Sequence, residues 1–153
     1  MMDAKVPVER QIGQTVLNLT VEGHLIDFKR ELEIIVANIY KQNCGIVCEK
    51  YQRWSWITQT PHNKNRSLIH IALMDRKTPV DIIWSILHEF GHVLQDVAEL
   101  PLAKKDPLLE LAREKDAWDK AETEVKKYPK LALLAEQFYS YRDKQLTSYN
   151  KGS

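Results

Sequence analysis

The chain has 153 residues, of which 44% are hydrophobic and 28% charged, and its formal net charge is +1. This composition is typical of a soluble globular protein, and we expect residues 1–153 to form a single domain. Positive and negative residues are interspersed, which argues against a polybasic face for nucleic acid or a membrane surface. The sequence has no apolar run long enough to span a bilayer and no apolar signal core near Met1, so we expect a cytoplasmic protein.

The first forty residues predict one amphipathic helix after a weakly patterned segment. Residues 1–20 are expected to form either an arm or a short helix that docks on the body. From Leu25 to Tyr40, apolar residues recur at three- and four-residue spacing, which is typical of a helix with one buried face. Asn43 and Gly45 are residue types that commonly end a helix.

Two neighbouring strands are predicted after this helix. The stretch Ile46 to Thr58 is rich in β-branched and aromatic residues, and Ser67 to Leu73 alternates large aliphatic residues with others. Between them, Thr60 to Arg66 contains a proline and two asparagines, which suit a polar hairpin loop. A loop of this kind favours antiparallel pairing of the two strands.

A central helix is predicted from Pro79 to about Val97. Thr78 can cap this helix, Pro79 suits its first turn, and Asp81 completes a variant of the capping box. The apolar residues of this segment cover most of the helix circumference, which indicates burial on several sides.

The last third of the chain predicts two more helices. The first runs from about Leu108 to Lys127, and the second from Pro129 to about Leu146, each starting after or at a proline. Residues 148–153 are expected to form a disordered tail.

The central helix contains His88, Glu89, Phe90, Gly91 and His92, which together form the HExxH pattern. Residues four apart lie on one face of a helix, so the two imidazoles can bind a single zinc ion from adjacent turns. Glu89 is rotated by about 100° from His88, a position that suits a general base acting on a metal-activated water. The alternative is a chance coincidence, but histidines and a carboxylate among apolar residues are costly to bury without a metal or partner.

The third metal ligand must come from outside this motif, because a catalytic zinc usually has three protein ligands and one open position. No histidine follows His92, so a carboxylate of the next predicted helix is the natural donor. Glu114 is the preferred candidate, and Glu110, one turn earlier on the same face, remains its rival.

Small residues support this choice of Glu114. Ala117 and Ala121 continue its face of the helix as a stripe on which the metal helix can approach closely. Gly91 lowers helix stability relative to alanine, which also suggests close packing at that position. Asp96, one turn after His92, is expected to be an outer partner or a surface charge rather than a ligand.

The HExxH motif with a glutamate on the following helix resembles the minimal gluzincins, particularly the ImmA/IrrE-like metallopeptidases of phages, mobile elements and bacterial stress regulators. The similarity covers roughly Leu25 to Glu124. In that family the third ligand is followed by two alanines, which map here to Ala117 and Ala121, and by an aromatic residue at the position of Lys120. In this chain the aromatic residue is instead Trp118.

The resemblance implies an α+β, zincin-like fold. A helix and a small antiparallel or mixed sheet would precede the central HExxH helix, and two C-terminal helices would complete the pocket. It also implies a zinc metallopeptidase with one ion per chain, held by His88, His92 and Glu114, and with Glu89 as the general base.

The expected substrate is a peptide or protein, in particular an intracellular protein. The strand Ser67 to Leu73 is predicted to bind an extended peptide by adding it to the sheet edge. His70 in this strand and Tyr139 in the last helix are candidate auxiliary groups that polarise the substrate carbonyl, as are Tyr141 and Arg142. A lone histidine in a strand is more often a packed or surface residue, and aromatic residues at helical spacing usually belong to the core.

Two alternatives belong to other classes of protein. One is a noncatalytic binding module of a phage or regulatory complex that keeps zinc for folding alone. The other is a metal-free helical adaptor, which a one-to-one zinc stoichiometry would eliminate. Iron, cobalt or manganese can also bind two imidazoles and one carboxylate.

Overall fold

The computed structural model describes residues 6–59, 67–74, 77–95 and 105–152. These residues form six α-helices, one short 3-10 helix and three strands. In chain order they are α1 (Val8–Val21), the 3-10 helix Ile26–Phe28, α2 (Lys29–Lys41), β1 (Cys44–Glu49), β2 (Trp56–Thr58), β3 (Ser67–Ala72), α3 (Asp81–Val93), α4 (Pro107–Lys127), α5 (Pro129–Ala132) and α6 (Ala135–Gly152).

The N-terminal segment is a helix that packs on the body, which was one of the two forms expected for residues 1–20. Val16 and Leu19 of α1 are buried, and the hydroxyls of Thr15 and Tyr40 lie 3.2 Å apart, which joins α1 to α2. Helix α2 buries the predicted apolar face and ends as Asn43 adopts a left-handed φ of 54°. The predicted role of Gly45 in ending the helix is wrong, because Gly45 lies inside β1.

The sheet is mixed, with the strand order β1-β3-β2. The prediction of one strand over Ile46 to Thr58 is wrong, because a turn after Glu49 divides this stretch into β1 and β2. Antiparallel pairing is confirmed for β2 and β3, whereas β1 pairs with β3 in parallel. The expected hairpin loop, Thr60 to Arg66, lies outside the described residues.

Helix α3 is the predicted central helix and is buried on several sides. Nine of its thirteen residues are buried, including Trp84 and Phe90. It begins at Asp81, two residues later than predicted, after a turn in which the Asp81 carboxylate accepts hydrogen bonds from the backbone N–H groups of Lys77 and Thr78. The helix ends at Val93, and the predicted last turn reaches residues that the structure does not describe.

The C-terminal helices begin at the predicted prolines, but the prediction of one helix from Pro129 to about Leu146 is wrong, because a turn at Leu133 and Leu134 divides it into α5 and α6. Asp106 caps α4 by accepting a hydrogen bond from the N–H of Leu108, and the chain turns at Tyr128 into the short helix α5. Helix α6 then runs to Gly152, beyond the predicted end near Leu146 and into the segment 148–153 where a disordered tail was expected.

The α+β class and the order of the main elements are confirmed. Helices and a small sheet precede α3, and further helices follow it, and the core contains buried residues of α1, α2, β1, β3 and all the helices from α3 to α6. No described helix has both the length and the apolar character needed to cross a lipid bilayer.

Candidate metal centre

Helices α3 and α4 touch through their backbones at Gly91. A Cβ atom added to Gly91 would lie 2.3 Å from the carbonyl oxygen of Ala117, far inside van der Waals contact. Ala117 and Ala121 are fully buried. The predicted close approach of the metal helix to the alanine stripe is therefore confirmed, and it fixes which side chains of the two helices face each other.

This crossing brings three side chains together. His88 and His92 lie one turn apart on α3, and Glu114 reaches them from α4. The His88 Nε2 lies 2.9 Å from Oε1 of Glu114, and the His92 Nε2 lies 2.8 Å from its Oε2. One ligand atom from each residue can be chosen so that all three lie within 4.8 Å of one another. Two imidazoles and a carboxylate can therefore hold a metal ion between the helices.

The alternative ligand Glu110 is not part of this cluster. Its side chain is exposed one turn before Glu114, whereas Glu114 is buried. Asp96, the residue considered as an outer partner, lies outside the described residues.

Among the described residues, Gln95 forms a hydrogen bond with the candidate ligand His92. Its Nε2 donates to the carbonyl oxygen of Arg113 at 2.8 Å and to Asp116 at 2.9 Å, which fixes the orientation of the amide. Its Oε1 therefore faces Nδ1 of His92 at 2.8 Å, and Nδ1 carries the proton because an amide oxygen only accepts. This contact leaves Nε2 of His92 for a metal, the arrangement usual for metal-binding histidines.

Trp118 packs against His88, the other candidate histidine ligand. Its ring lies nearly parallel to that of His88, with a centroid distance of 4.1 Å and an interplanar angle of 4°. Trp118 is 1% exposed and also contacts the rings of Phe138 and Tyr141 edge-on. The imidazole of His88 thus stacks on a buried aromatic ring, and its Nε2 faces the Glu114 carboxylate.

In the group His88, His92 and Glu114, the imidazoles lower the pKa of the carboxyl group, and the carboxylate raises the pKa of His92. Burial alone would raise the pKa of Glu114, but hydrogen bonds from His88 and His92 outweigh it and lower that pKa to about 2. Burial would likewise lower the pKa of His92, but the hydrogen bond and negative charge of Glu114 raise it. Glu114 is therefore a carboxylate at neutral pH, the form that binds metals.

Glu89 is placed differently from the three candidate ligands. It lies on α3 beside His88, with its Oε1 3.4 Å from Nδ1 of that residue, and burial raises its pKa. Glu89 and His88 line a cavity of about 330 Å³, together with Ser85, Trp118 and Tyr141. A buried carboxylate with a raised pKa at the wall of a cavity is suited to accept and return protons.

The two auxiliary candidates lie away from this cavity. The Nδ1 of His70 is 2.7 Å from Oε2 of Glu49, and its Nε2 is 3.4 Å from the hydroxyl of Thr58, so both ring nitrogens face other side chains. The Tyr139 hydroxyl donates to Glu122 at 2.6 Å. Neither His70 nor Tyr139 is among the described residues that line the cavity.

Of the two tyrosines of α6 considered as auxiliary groups, Tyr141 lines the cavity. Residues two apart on a helix point about 200° apart, so Tyr141 faces α3 when Tyr139 faces α4. The Tyr141 hydroxyl lies 2.7 Å from Oγ of Ser85, and both residues line the cavity.

The prediction that the strand Ser67 to Leu73 offers a free sheet edge is wrong. Strand β3 is the central strand of the sheet: β1 pairs with all six of its residues, and β2 pairs with Leu68, Ile69 and His70 on the other side. Strand β2 is the outer strand beside α3, where the Gln59 side chain donates to the carbonyl oxygen of His92 at 3.4 Å.

Sequence reasoning did not find Gln95 or the packing role of Trp118. Gln95 lies three residues after His92, so the i to i+3 spacing on a helix was an available signal. Trp118 lies four residues after Glu114 on the predicted helix face, which was likewise a signal for a neighbour of the ligands.

Comparison with known proteins found no family model, no curated protein and no solved structure that matches the chain. The arguments about function therefore depend on the residues and their geometry.

Proposed function

We propose that this protein is a zinc-dependent metallopeptidase of the gluzincin type, similar to the ImmA/IrrE-like peptidases, that hydrolyses a specific cytoplasmic protein. The observation that carries the proposal is the convergence of His88, His92 and Glu114, together with the buried Glu89, which lines a cavity beside His88.

The three candidate ligands fit zinc in type and number. Imidazole nitrogen and carboxylate oxygen are both zinc donors, and catalytic sites usually use three protein ligands, whereas structural sites use four. Among the described residues the cluster contains three such donors and no fourth. When bound, zinc supplies Lewis acidity, which lowers the pKa of water and polarises a carbonyl group.

Glu89 is the general base of this proposal. It accepts a proton from the water that attacks the peptide carbonyl and then gives that proton to the leaving nitrogen. Its burial raises its pKa, and proton transfer is most efficient when the pKa of the base lies close to the working pH. No covalent bond between the enzyme and the substrate is needed.

The cavity wall supplies a candidate for stabilising the oxyanion. Tyr141 lines the cavity with His88 and Glu89, and its phenolic hydroxyl lies 2.7 Å from Oγ of Ser85, a contact that orients it. A preorganised O–H donor of this kind stabilises the charge that develops on the carbonyl oxygen. The outer strand β2, beside α3, replaces β3 as the strand along which an extended peptide would lie.

Metal analysis and a cleavage assay test the proposal together. The purified protein is expected to hold one zinc ion per chain and to cleave an unstructured protein, with loss of activity on chelation and recovery on addition of zinc. Glu89→Gln should retain zinc but cleave about 10²- to 10⁴-fold more slowly. The matched control is Glu110→Gln, which makes the same chemical change on an exposed residue outside the cluster.

Three results would contradict the proposal. Equal cleavage by the wild type and Glu89→Gln would refute Glu89 as the base. Loss of zinc by Glu110→Gln would refute the ligand set. Zinc-dependent folding without any cleavage would favour the noncatalytic binding module, because ligands from two packed helices can also stabilise the fold.

A further inference from the structure

The cavity at Glu89 has positively charged walls. Arg53, from the turn before β2, and Lys144, from α6, both line it. Glu89 is the one carboxylate among the described lining residues. Two cations from separate elements therefore face the space in which the proposed reaction would occur.

Neither cation has an acidic partner among the described residues. Both side chains are exposed, and neither forms an ion pair with a described carboxylate. Lys144 also borders the neighbouring groove that contains Asp81 and Glu136, but it forms no ion pair with either. By contrast Arg142, on the same helix, pairs with Asp143 at 2.9 Å. Within the described part of the chain, no carboxylate therefore neutralises Arg53 or Lys144.

The neighbouring groups suit a carboxylate. Gln145 and Ser148 of α6, and Ser55 next to Arg53, line the same cavity and can donate hydrogen bonds. Arginine pairs with carboxylates through two parallel N–H groups, and such charge-assisted hydrogen bonds are stronger than neutral ones. A substrate carboxylate near Glu89 would be repelled unless cations compensated its charge, and the two cations provide that compensation.

We propose that the substrate carries a carboxylate close to the cleaved bond and that Arg53 and Lys144 bind it. The carboxylate is either an aspartate or glutamate side chain or the free C-terminus of a peptide. This inference rests on the proposed peptidase function, and it adds the substrate class to it.

Matched peptides test the preference. Cut sites in a mixture of denatured proteins are first mapped with the zinc-loaded wild type, and acidic residues should be enriched near the cut bond. One cleaved peptide is then made with glutamate or glutamine at that position, each with a free or an amidated C-terminus. The favoured carboxylate should raise kcat/KM by roughly threefold to tenfold, since partly exposed ion pairs are modest. A gain from glutamate identifies the side chain, and a gain from the free C-terminus identifies the terminus.

Charge reversal tests the two residues. In Arg53→Glu and Lys144→Glu, the ratio of kcat/KM for the acidic peptide to that for its neutral partner should fall to one or below. Arg30→Glu, an exposed position on α2 outside the cavity, makes the same charge change and should preserve the ratio.

The outcomes separate this inference from the proposed function. Zinc-dependent cleavage without an acidic preference, or an unchanged ratio in both charge reversals, would overturn the carboxylate site and leave the peptidase intact. No cleavage of any peptide by the zinc-loaded wild type would overturn both.

Discussion

His88 and His70 have the same two kinds of neighbour. Each imidazole lies parallel to a tryptophan ring, with centroid distances of 4.1 Å for His88 and 4.4 Å for His70. Each also places a nitrogen near a carboxylate oxygen, at 2.9 Å from Glu114 and 2.7 Å from Glu49. These two contacts alone do not distinguish a metal ligand from a histidine packed on a sheet.

The surroundings of His88 and His70 differ because His88 has a second imidazole, that of His92, beside it. His92 meets the other oxygen of Glu114 at 2.8 Å, whereas the remaining nitrogen of His70 faces the Thr58 hydroxyl at 3.4 Å. The Glu114 side chain is also 9% exposed, compared with 25% for Glu49. A metal site therefore depends on several donors meeting at a buried helix crossing, and the environment of His70 lacks that crossing.

Removing one imidazole from each environment should give the largest contrast. In His92→Ala the zinc affinity should fall by more than about 100-fold, beyond the 10- to 100-fold loss typical of outer partners, because a ligand itself is missing. His70→Ala should still bind one zinc ion per chain. Competition with a chromophoric chelator measures both affinities. A similar loss in the two variants would mean that the cluster at Glu114 is not the zinc site.

The helix crossing itself can be tested at Gly91. A methyl group there would meet the Ala117 carbonyl oxygen at 2.3 Å, so Gly91→Ala should lower the free energy of unfolding by about 3 kcal/mol. Gly13→Ala is the matched control, because nothing lies within 4 Å of an added Cβ in α1, and there stability should rise by up to about 1 kcal/mol. Urea unfolding measures both changes, and equal stability of the two variants would contradict the close approach of α3 to α4.

A smaller contrast is expected from the side chains that hydrogen-bond to His92 and His70, which are Gln95 and Glu49. Gln95→Leu removes the acceptor for Nδ1 of His92 and should weaken zinc binding by about 10- to 100-fold. Glu49→Gln changes the equivalent partner of His70 and should leave zinc affinity unchanged. If both variants bind zinc as the wild type does, Gln95 does not orient His92.

Local patterns predicted most of the helices and the group His88, His92 and Glu114, which could hold a metal ion. The periodicity of α2, the prolines that begin α4 and α5, and the HExxH spacing are all local features within a few turns of one helix, so they can be recognised in the sequence. Glu114 could also be preferred to Glu110 from the sequence, because the small residues Ala117 and Ala121 on its face of the helix indicate that a second helix packs closely there. Small residues on one face of a helix can thus predict a contact with a helix that is distant in the sequence.

The sheet and the surroundings of the site could not be predicted in the same way. Which strands pair depends on contacts between distant residues, so the division into β1 and β2 and the central position of β3 were missed. The choice between Tyr139 and Tyr141 depends on the rotation of α6 against α3, which the amphipathic pattern of that helix does not define. Similarly, Arg53 and Lys144 are far apart in the sequence, and only the folded chain brings them to the same cavity.

The stacked tryptophans give the last and smallest contrast. Trp118→Leu removes the aromatic wall behind His88 and should weaken zinc binding by roughly threefold to tenfold, since an aromatic pair contributes about 0.5–1.5 kcal/mol beyond its buried area. Trp118→Phe should restore most of this affinity, although it leaves a small cavity. Trp56→Leu, which removes the ring stacked on His70, should not change zinc affinity. Because Trp118 is buried, zinc titrations should be performed at a temperature where all variants are folded, as judged by circular dichroism. Failure of Trp118→Phe to improve on Trp118→Leu would show that the ring fills space and does not orient His88.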